Sequence, residues 1–287
     1  MWVLLAVVSA LLLGIYDIFK KISVSGNNVL TVLFLNTMFG ALILSPFIFD
    51  SAVNNPGTLA AHAGILPKSF IVLSAWVLGY FGVKHMPLTI TGPINATRPV
   101  LVLAGALLIF HESLNIYQWI GITIGFLSLF LISKIGAKEG FSVKNNKWIW
   151  FCIGSAVMGA VSGLYDKYLL QRYEPLFVQS WYSLYQFLIM GITIYIIKQT
   201  YHDRTKFIWR WSIPCIALFL TLADLAYFYA LSLDGAMISI ISMLRRGSVI
   251  IPFIYGVTIL KERNVKLKLV DLTLLMIGLA FLVLGSR

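Results

Sequence analysis

A chain of 287 residues that is 59% hydrophobic and 11% charged cannot keep its apolar side chains off a water-facing surface, which excludes a soluble enzyme or binding domain. The formal charge of +11 does not point to nucleic acid, because most of its lysines and arginines sit in turns between apolar runs, where they anchor and orient membrane helices. Those runs are about twenty residues long, which fits helices across a roughly 30 Å hydrocarbon core and not ten-residue barrel strands.

Taken in order against the charged turns, the runs predict ten spans: 2–19, 29–49, 69–86, 88–110, 115–133, 148–168, 177–197, 212–232, 236–260 and 265–285. The first follows Met1 at once with no basic stretch before it, so it reads as a retained helix and not a signal peptide. The longest connections are Asp50 to Lys68, which contains Asn54-Asn55-Pro56-Gly57, then Lys134 to Lys147, and Lys198 to Trp211. The second of these reads as the joint between two halves. Cys152 and Cys215 both lie within apolar runs, so neither a disulfide framework nor a thiolate metal site is expected.

The halves resemble each other. Gly14-Ile15-Tyr16-Asp17 near the end of the first span recurs as Gly163-Leu164-Tyr165-Asp166 near the end of the sixth, and Glu112 after the fourth recurs as Glu262 after the ninth. Five helices, an odd number, separate the copies, so the second half enters the membrane upside down. The expected fold is an all-α membrane protein of ten transmembrane helices in two inverted five-helix repeats, 1–137 and 138–287. Gly121 with Gly125, and Gly159 with Gly163 extended by Ser155, have the spacing of close helix packing.

With this duplication and with its Glu-led fifth and tenth helices, Glu112 through Asn115 and Gln118 to Gly121 and Glu262 through Asp271 to Gly278, the chain resembles the drug/metabolite transporter superfamily, in its EamA-like ten-helix members. The resemblance covers essentially the whole chain and implies the fold and transport as a class. Ser128 stands where a glycine is common and Asp271 matches the place of Gly121, departures that loosen the expected packing of the tenth helix.

Polar groups inside the spans are the candidate site. Arg245 and Arg246 stand side by side in the ninth span, where a charge marks a pathway, a water-filled cavity or a partner. Ser239, Ser242 and Arg246 share one helix face, and Pro252 is placed to kink the helix beyond them. Asn95 and Arg98 lie between Pro93 and Pro99 in the fourth span, which corresponds to the ninth in the repeat. Three guanidiniums around one cavity favour an anion, because planar forks bind phosphate or carboxylate in two-pronged fashion. The superfamily's organophosphate antiporters are similar in placing basic residues on the fourth helix and a basic pair on the ninth. The arginines have a second reading as counter-ions of buried carboxylates. Asp17 and Asp166 lie close to Lys20 and Lys167 near helix ends and read as structural, whereas Asp224, three residues before Tyr227, reads equally as structural partner or proton carrier. Tyr182, Tyr185, Gln186 and Asn36 line a cavity or pack between helices.

The four histidines have no metal-ligand spacing and no recognisable nucleophile partner, so no enzyme, metal or cofactor is expected. The resulting expectation is a secondary transporter in a bacterial inner membrane. It would move a small polar anion, phosphorylated or not, by alternating access, driven by H+ or Na+ or by a counter-solute. An exporter of amino acids or other zwitterions is the first alternative, and a lipid-linked sugar flippase or accessory membrane subunit the second. Partners are the small-molecule substrate and the lipid bilayer; monomer and homodimer both stay open. EamA-like members usually keep both termini in the cytoplasm. Here the basic turns follow the odd-numbered spans, from Lys20 and Lys21 through Lys134–Lys147 to Lys268, and only Lys68, Lys167, Arg172 and Arg287 lie opposite, so the charge bias predicts termini outside.

Overall fold

A computed structural model describes residues 1–24, 27–50, 58–85, 94, 98–137, 147–200, 207–251, 255 and 265–285. These form ten α-helices: α1 (Trp2–Val24), α2 (Val29–Ile48), α3 (Leu59–His85), α4 (Arg98–Ile109), α5 (Ile116–Ala137), α6 (Lys147–Leu170), α7 (Pro175–Thr200), α8 (Ser212–Ser232), α9 (Ile238–Leu244) and α10 (Val265–Gly285), with a 3₁₀ stretch at Arg245–Val249. Five of them, α1, α2, α3 over Leu59–Gly79, α6 over Trp148–Leu170, and α8, are long and apolar enough to cross a membrane. Leu4, Leu108, Trp150 and Ile192 remain exposed on the outside of the bundle, a surface suited to lipid and not to water.

Local chemistry sets the turns. Asn28 caps α2 by accepting from the Thr31 nitrogen at 3.0 Å. Asn115 and Gln118 form a reciprocal box at the start of α5, each side chain accepting from the other's backbone nitrogen at 2.9 Å. After α4 the chain reverses through His111, whose φ of +50° is the left-handed conformation that ends many helices. The Glu112 nitrogen then donates to the Ala106 carbonyl at 3.3 Å, which turns the Glu112 side chain inward.

The principal packing pairs are α1 on α8, α3 on α6, α2 on α7 and α5 on α10. At one end of the bundle the Ser23 and Ser212 hydroxyls meet at 2.5 Å, and the Asn27 amide is bonded to both the nitrogen and the oxygen of Ile208, at 2.9 and 2.7 Å. At the other end the Asn115 amide donates to the Gly285 carbonyl at 2.6 Å.

Several expectations need correction. The third span begins ten residues earlier than its charge pattern indicates, at Leu59, and carries Pro67 and Lys68 inside the helix. Lys68 does not end the helix because a carboxylate neutralises it there. The ninth span is not one uninterrupted α-helix: α9 ends at Leu244 and both arginines lie in the tighter 3₁₀ stretch, which turns Arg246 by some tens of degrees from the α-helical phase it was expected to share with Ser239 and Ser242. Gly247 weakens the helix at this point, and the Ser248 carbonyl is pressed against α1, 2.7 Å from where a Cβ on Gly14 would be. The tenth helix packs closely in spite of Asp271: a Cβ on Gly278 would lie 2.9 Å from the Gly121 oxygen and 3.1 Å from the Gly125 nitrogen. Pro93, Pro252 and Glu262 fall outside the described residues.

Candidate transport site: a charge cluster beside an amide-lined cleft

Charges buried in apolar surroundings persist when paired, and the structure pairs most of them across the two halves. The Lys68 ammonium on α3 is bonded to the Asp166 carboxylate on α6, with both side chains buried. The ammonium also lies over the rings of Tyr182, at 4.3 Å, and Phe228, at 4.8 Å, so aromatic faces cover the side of the charge that has no carboxylate. Asp166 therefore does not share the helix end with Lys167, as its position suggested. Lys167 is itself buried, donating to Glu112 at 2.6 Å and to the Ala236 carbonyl at 3.0 Å. Glu112 also accepts from the Ile238 nitrogen at 2.7 Å and from the Ser239 hydroxyl, so a carboxylate from the first half caps α9 of the second.

The arginines take three different positions. Arg245 donates to Asp224 at 2.9 Å and stacks on the Tyr227 ring at 4.0 Å, which makes Asp224 its counter-ion; both side chains keep 19% of their surface. Arg246 is half-buried, in electrostatic reach of Asp17, Arg98 and Arg245. Asp17 is seven residues short of the end of α1, too deep for the helix-end role expected, and feels Arg246 as well as Lys20. Arg98 retains exposed surface and is in electrostatic reach of Tyr227, Arg245, Asp166 and Asp224. It forms no hydrogen bond or ion pair among the described residues. Its guanidinium occupies the space beside Gly159, where a Cβ would stand 2.8 Å from the guanidinium carbon. The Gly159–Gly163 stripe thus seats an arginine as well as packing helices.

Next to this cluster is a cleft walled by α2, α3, α7 and α8, lined by Asn36, Thr37, Gly40, Trp76, Gln179, Tyr182, Ser183, Gln186, Ala217, Leu220, Thr221 and Asp224. Four of the expected residues, Asn36, Tyr182, Gln186 and Asp224, meet there. Tyr227 packs under Arg245, Ser242 is half-buried on α9, and Tyr185 turns away to bond His62 Nδ1 at 2.9 Å; none of the three is in the cleft lining. Asn95 lies outside the described residues. Sequence patterning missed Lys68, Gln179, Thr221 and Trp76. For Gln179 a signal exists: Gln179, Tyr182 and Gln186 follow at i, i+3 and i+7, a polar stripe on an otherwise apolar helix.

An all-helical bundle with apolar membrane spans and charges buried around an internal cleft is the architecture of a membrane transport protein. The family model of the EamA-like transporter family matches residues 1–134 and again residues 146–284, and the chain belongs to that family. No curated protein matches it. Among solved structures, one described only as a crystal structure of protein is similar over 100% of this chain and 98% of its own, with a TM-score of 0.71 and 13% identity, a likeness of fold alone.

Proposed function

We propose that this integral membrane transporter is a secondary carrier of a small polar anion, working by alternating access in a bacterial inner membrane. The observation that carries the reading is Arg98, an arginine with accessible surface and no carboxylate bonded to it among the described residues, beside Arg245, Arg246 and Lys68, each of which has an acidic partner or neighbour. An uncompensated cation at that depth costs several kcal/mol unless an anion or water reaches it, so the site is built to receive negative charge. A zwitterion would need an accessible carboxylate for its amine, and Asp224 and Asp166 are engaged by Arg245 and Lys68.

Two features support rocking halves. The packing pairs interchange when each helix is replaced by its counterpart five places on: α1 on α8 becomes α6 on α3, while α2 on α7 and α5 on α10 map onto themselves. The cap from Glu112 to α9 and the Asn27–Ile208 contact close opposite ends of the bundle, and each joins the two halves, 1–137 and 138–287. Opening one end while keeping the other is the movement alternating access requires.

The test is ligand-dependent thermal stabilisation of the purified protein by glycerol 3-phosphate, glucose 6-phosphate, gluconate and malate, with alanine and serine as zwitterions. At least one anion should stabilise the wild type, and Arg98→Gln should weaken its binding at least tenfold, the loss of one charge-assisted bond. Wild-type binding by Arg98→Gln, or stabilisation by the zwitterions alone, would refute the anion reading.

A further inference from the structure

We infer that the cleft between α2, α3, α7 and α8 binds an uncharged, hydroxyl-bearing part of the solute, so that the transported anion is a hydroxylated one; this rests on the anion reading of Arg98. Asn36, Gln179 and Gln186 are 5%, 2% and 4% exposed, and each leaves a buried polar atom unpartnered: Asn36 Oδ1, Gln179 Oε1 and Gln186 Nε2. All three line the cleft. Folded proteins rarely leave buried amide atoms unpaired, because each has lost water and gained nothing, so three around one cleft point to a ligand.

Their orientation is held from behind. Gln179 Nε2 donates to the Thr221 carbonyl at 2.8 Å, which leaves Oε1 as the free end, and the Gln186 amide is hydrogen-bonded to Tyr182. Two buried acceptors and one buried donor without partners among the described residues, with the Asn36 amide nitrogen also unbonded, complement groups that both donate and accept, as a hydroxyl does. An anionic head would meet two unpaired acceptor oxygens there. A cation would meet no spare negative charge, since Arg245 neutralises Asp224, while the Lys68 ammonium stands just behind Tyr182. Tyr182 lines the cleft, is bonded to Gln186 and is in electrostatic reach of Arg98, so the Arg98 charge is felt at the cleft wall. Arg98 would hold the charge, and the amides would read the body of the solute.

The experiment compares matched anions that differ in hydroxyls: glycerate with propionate, gluconate with hexanoate, and glycerol 3-phosphate with propyl phosphate. Affinities come from thermal-stabilisation titrations of purified wild type, Asn36→Leu, Gln186→Met and Arg98→Gln. Wild type should prefer the hydroxylated member of at least one pair by tenfold or more, since a site built for a hydroxyl discriminates against its absence. Asn36→Leu and Gln186→Met should each bring that ratio below about threefold while still binding the deoxy anion. The Asn36 side chain has no hydrogen-bond partner among the described residues, so Asn36→Leu should melt no lower than wild type; a drop in melting temperature with an unchanged ratio would mean a structural amide and overturn the inference. So would equal wild-type affinity within every pair, binding of no probe, or stabilisation by NaCl over choline chloride that Asn36→Leu removes, which would make the cleft a cation site. If Arg98→Gln binds both members of a pair as wild type does, the anion reading falls instead, and the ratio within the pair still reports on the cleft.

Discussion

Lys68 and Asp166 show what a buried charge requires. Each would be prohibitively costly alone in the bundle, and together they stay because the ion pair is shielded by Tyr182 and Phe228. Removing one partner should therefore cost far more than removing both. Lys68→Met should destabilise the protein by about 3–5 kcal/mol by leaving the Asp166 carboxylate unpaired, and the double variant Lys68→Met/Asp166→Leu should recover most of that loss. Unfolding midpoints in a denaturant series measure both; a double variant as unstable as the sum of the single changes would mean that the pair is not coupled. The Arg245–Asp224 pair is different, because both side chains keep some accessible surface and Asp224 borders the cleft, so its charges are partly screened and breaking it should cost less.

At the level of helices, glycine decides where backbones touch. A Cβ on Gly278 would meet the backbone of α5 at 2.9 and 3.1 Å, and backbone cannot move aside as a side chain can. A Cβ on Gly163 would find its nearest atoms at 3.8 Å and beyond, ordinary contact distance. Gly278→Ala should thus destabilise by about 1–3 kcal/mol through overpacking, whereas Gly163→Ala should be neutral or gain up to about 1 kcal/mol of helix propensity. Equal effects in the same denaturant series would show that α5 and α10 are not in close backbone contact. The same physics explains which elements sequence reading recovers. The runs that became α2 and α8 end at polar turns and match their spans to within a residue, because local pattern alone determines them. The third and ninth spans do not, because their decisive contacts are distant in sequence: Lys68 is helical owing to a carboxylate on α6, and the stretch after Leu244 lies against Gly14 on α1. The site divides likewise. Asn36, Gln186 and Asp224 are conspicuous as polar residues in apolar runs, but nothing local distinguishes the paired Arg245 from the unpaired Arg98.

For the molecule as a whole, the open question of orientation turns on which cations count. The contacts of Ser23 with Ser212 place the end of α1 beside the start of α8, and a Cβ on Gly82 would lie 2.5 Å from the Cys152 sulfur, which places the end of α3 beside the start of α6. Neighbouring helices thus alternate in direction, and the turns after odd-numbered helices share one face, where Lys20 and Arg210 lie. Lys68 and Lys167, the two cations that most weakened the charge bias, are buried and paired inside the bundle and cannot interact with a membrane surface. The opposite face then keeps Arg172, stacked on Tyr168 at 3.7 Å, and by sequence Arg287. Because lysine and arginine in short turns are retained in the cytoplasm, the structure strengthens the expectation that both termini face outward. With Cys152 and Cys215 replaced by alanine, a cysteine at Glu174, exposed in the turn between α6 and α7, should react with an impermeant maleimide in intact cells. One at Phe207, exposed just before α8 on the basic face, should react only after lysis. The reverse pattern would place the termini in the cytoplasm and mean that interior packing, not the basic turns, sets the direction of insertion.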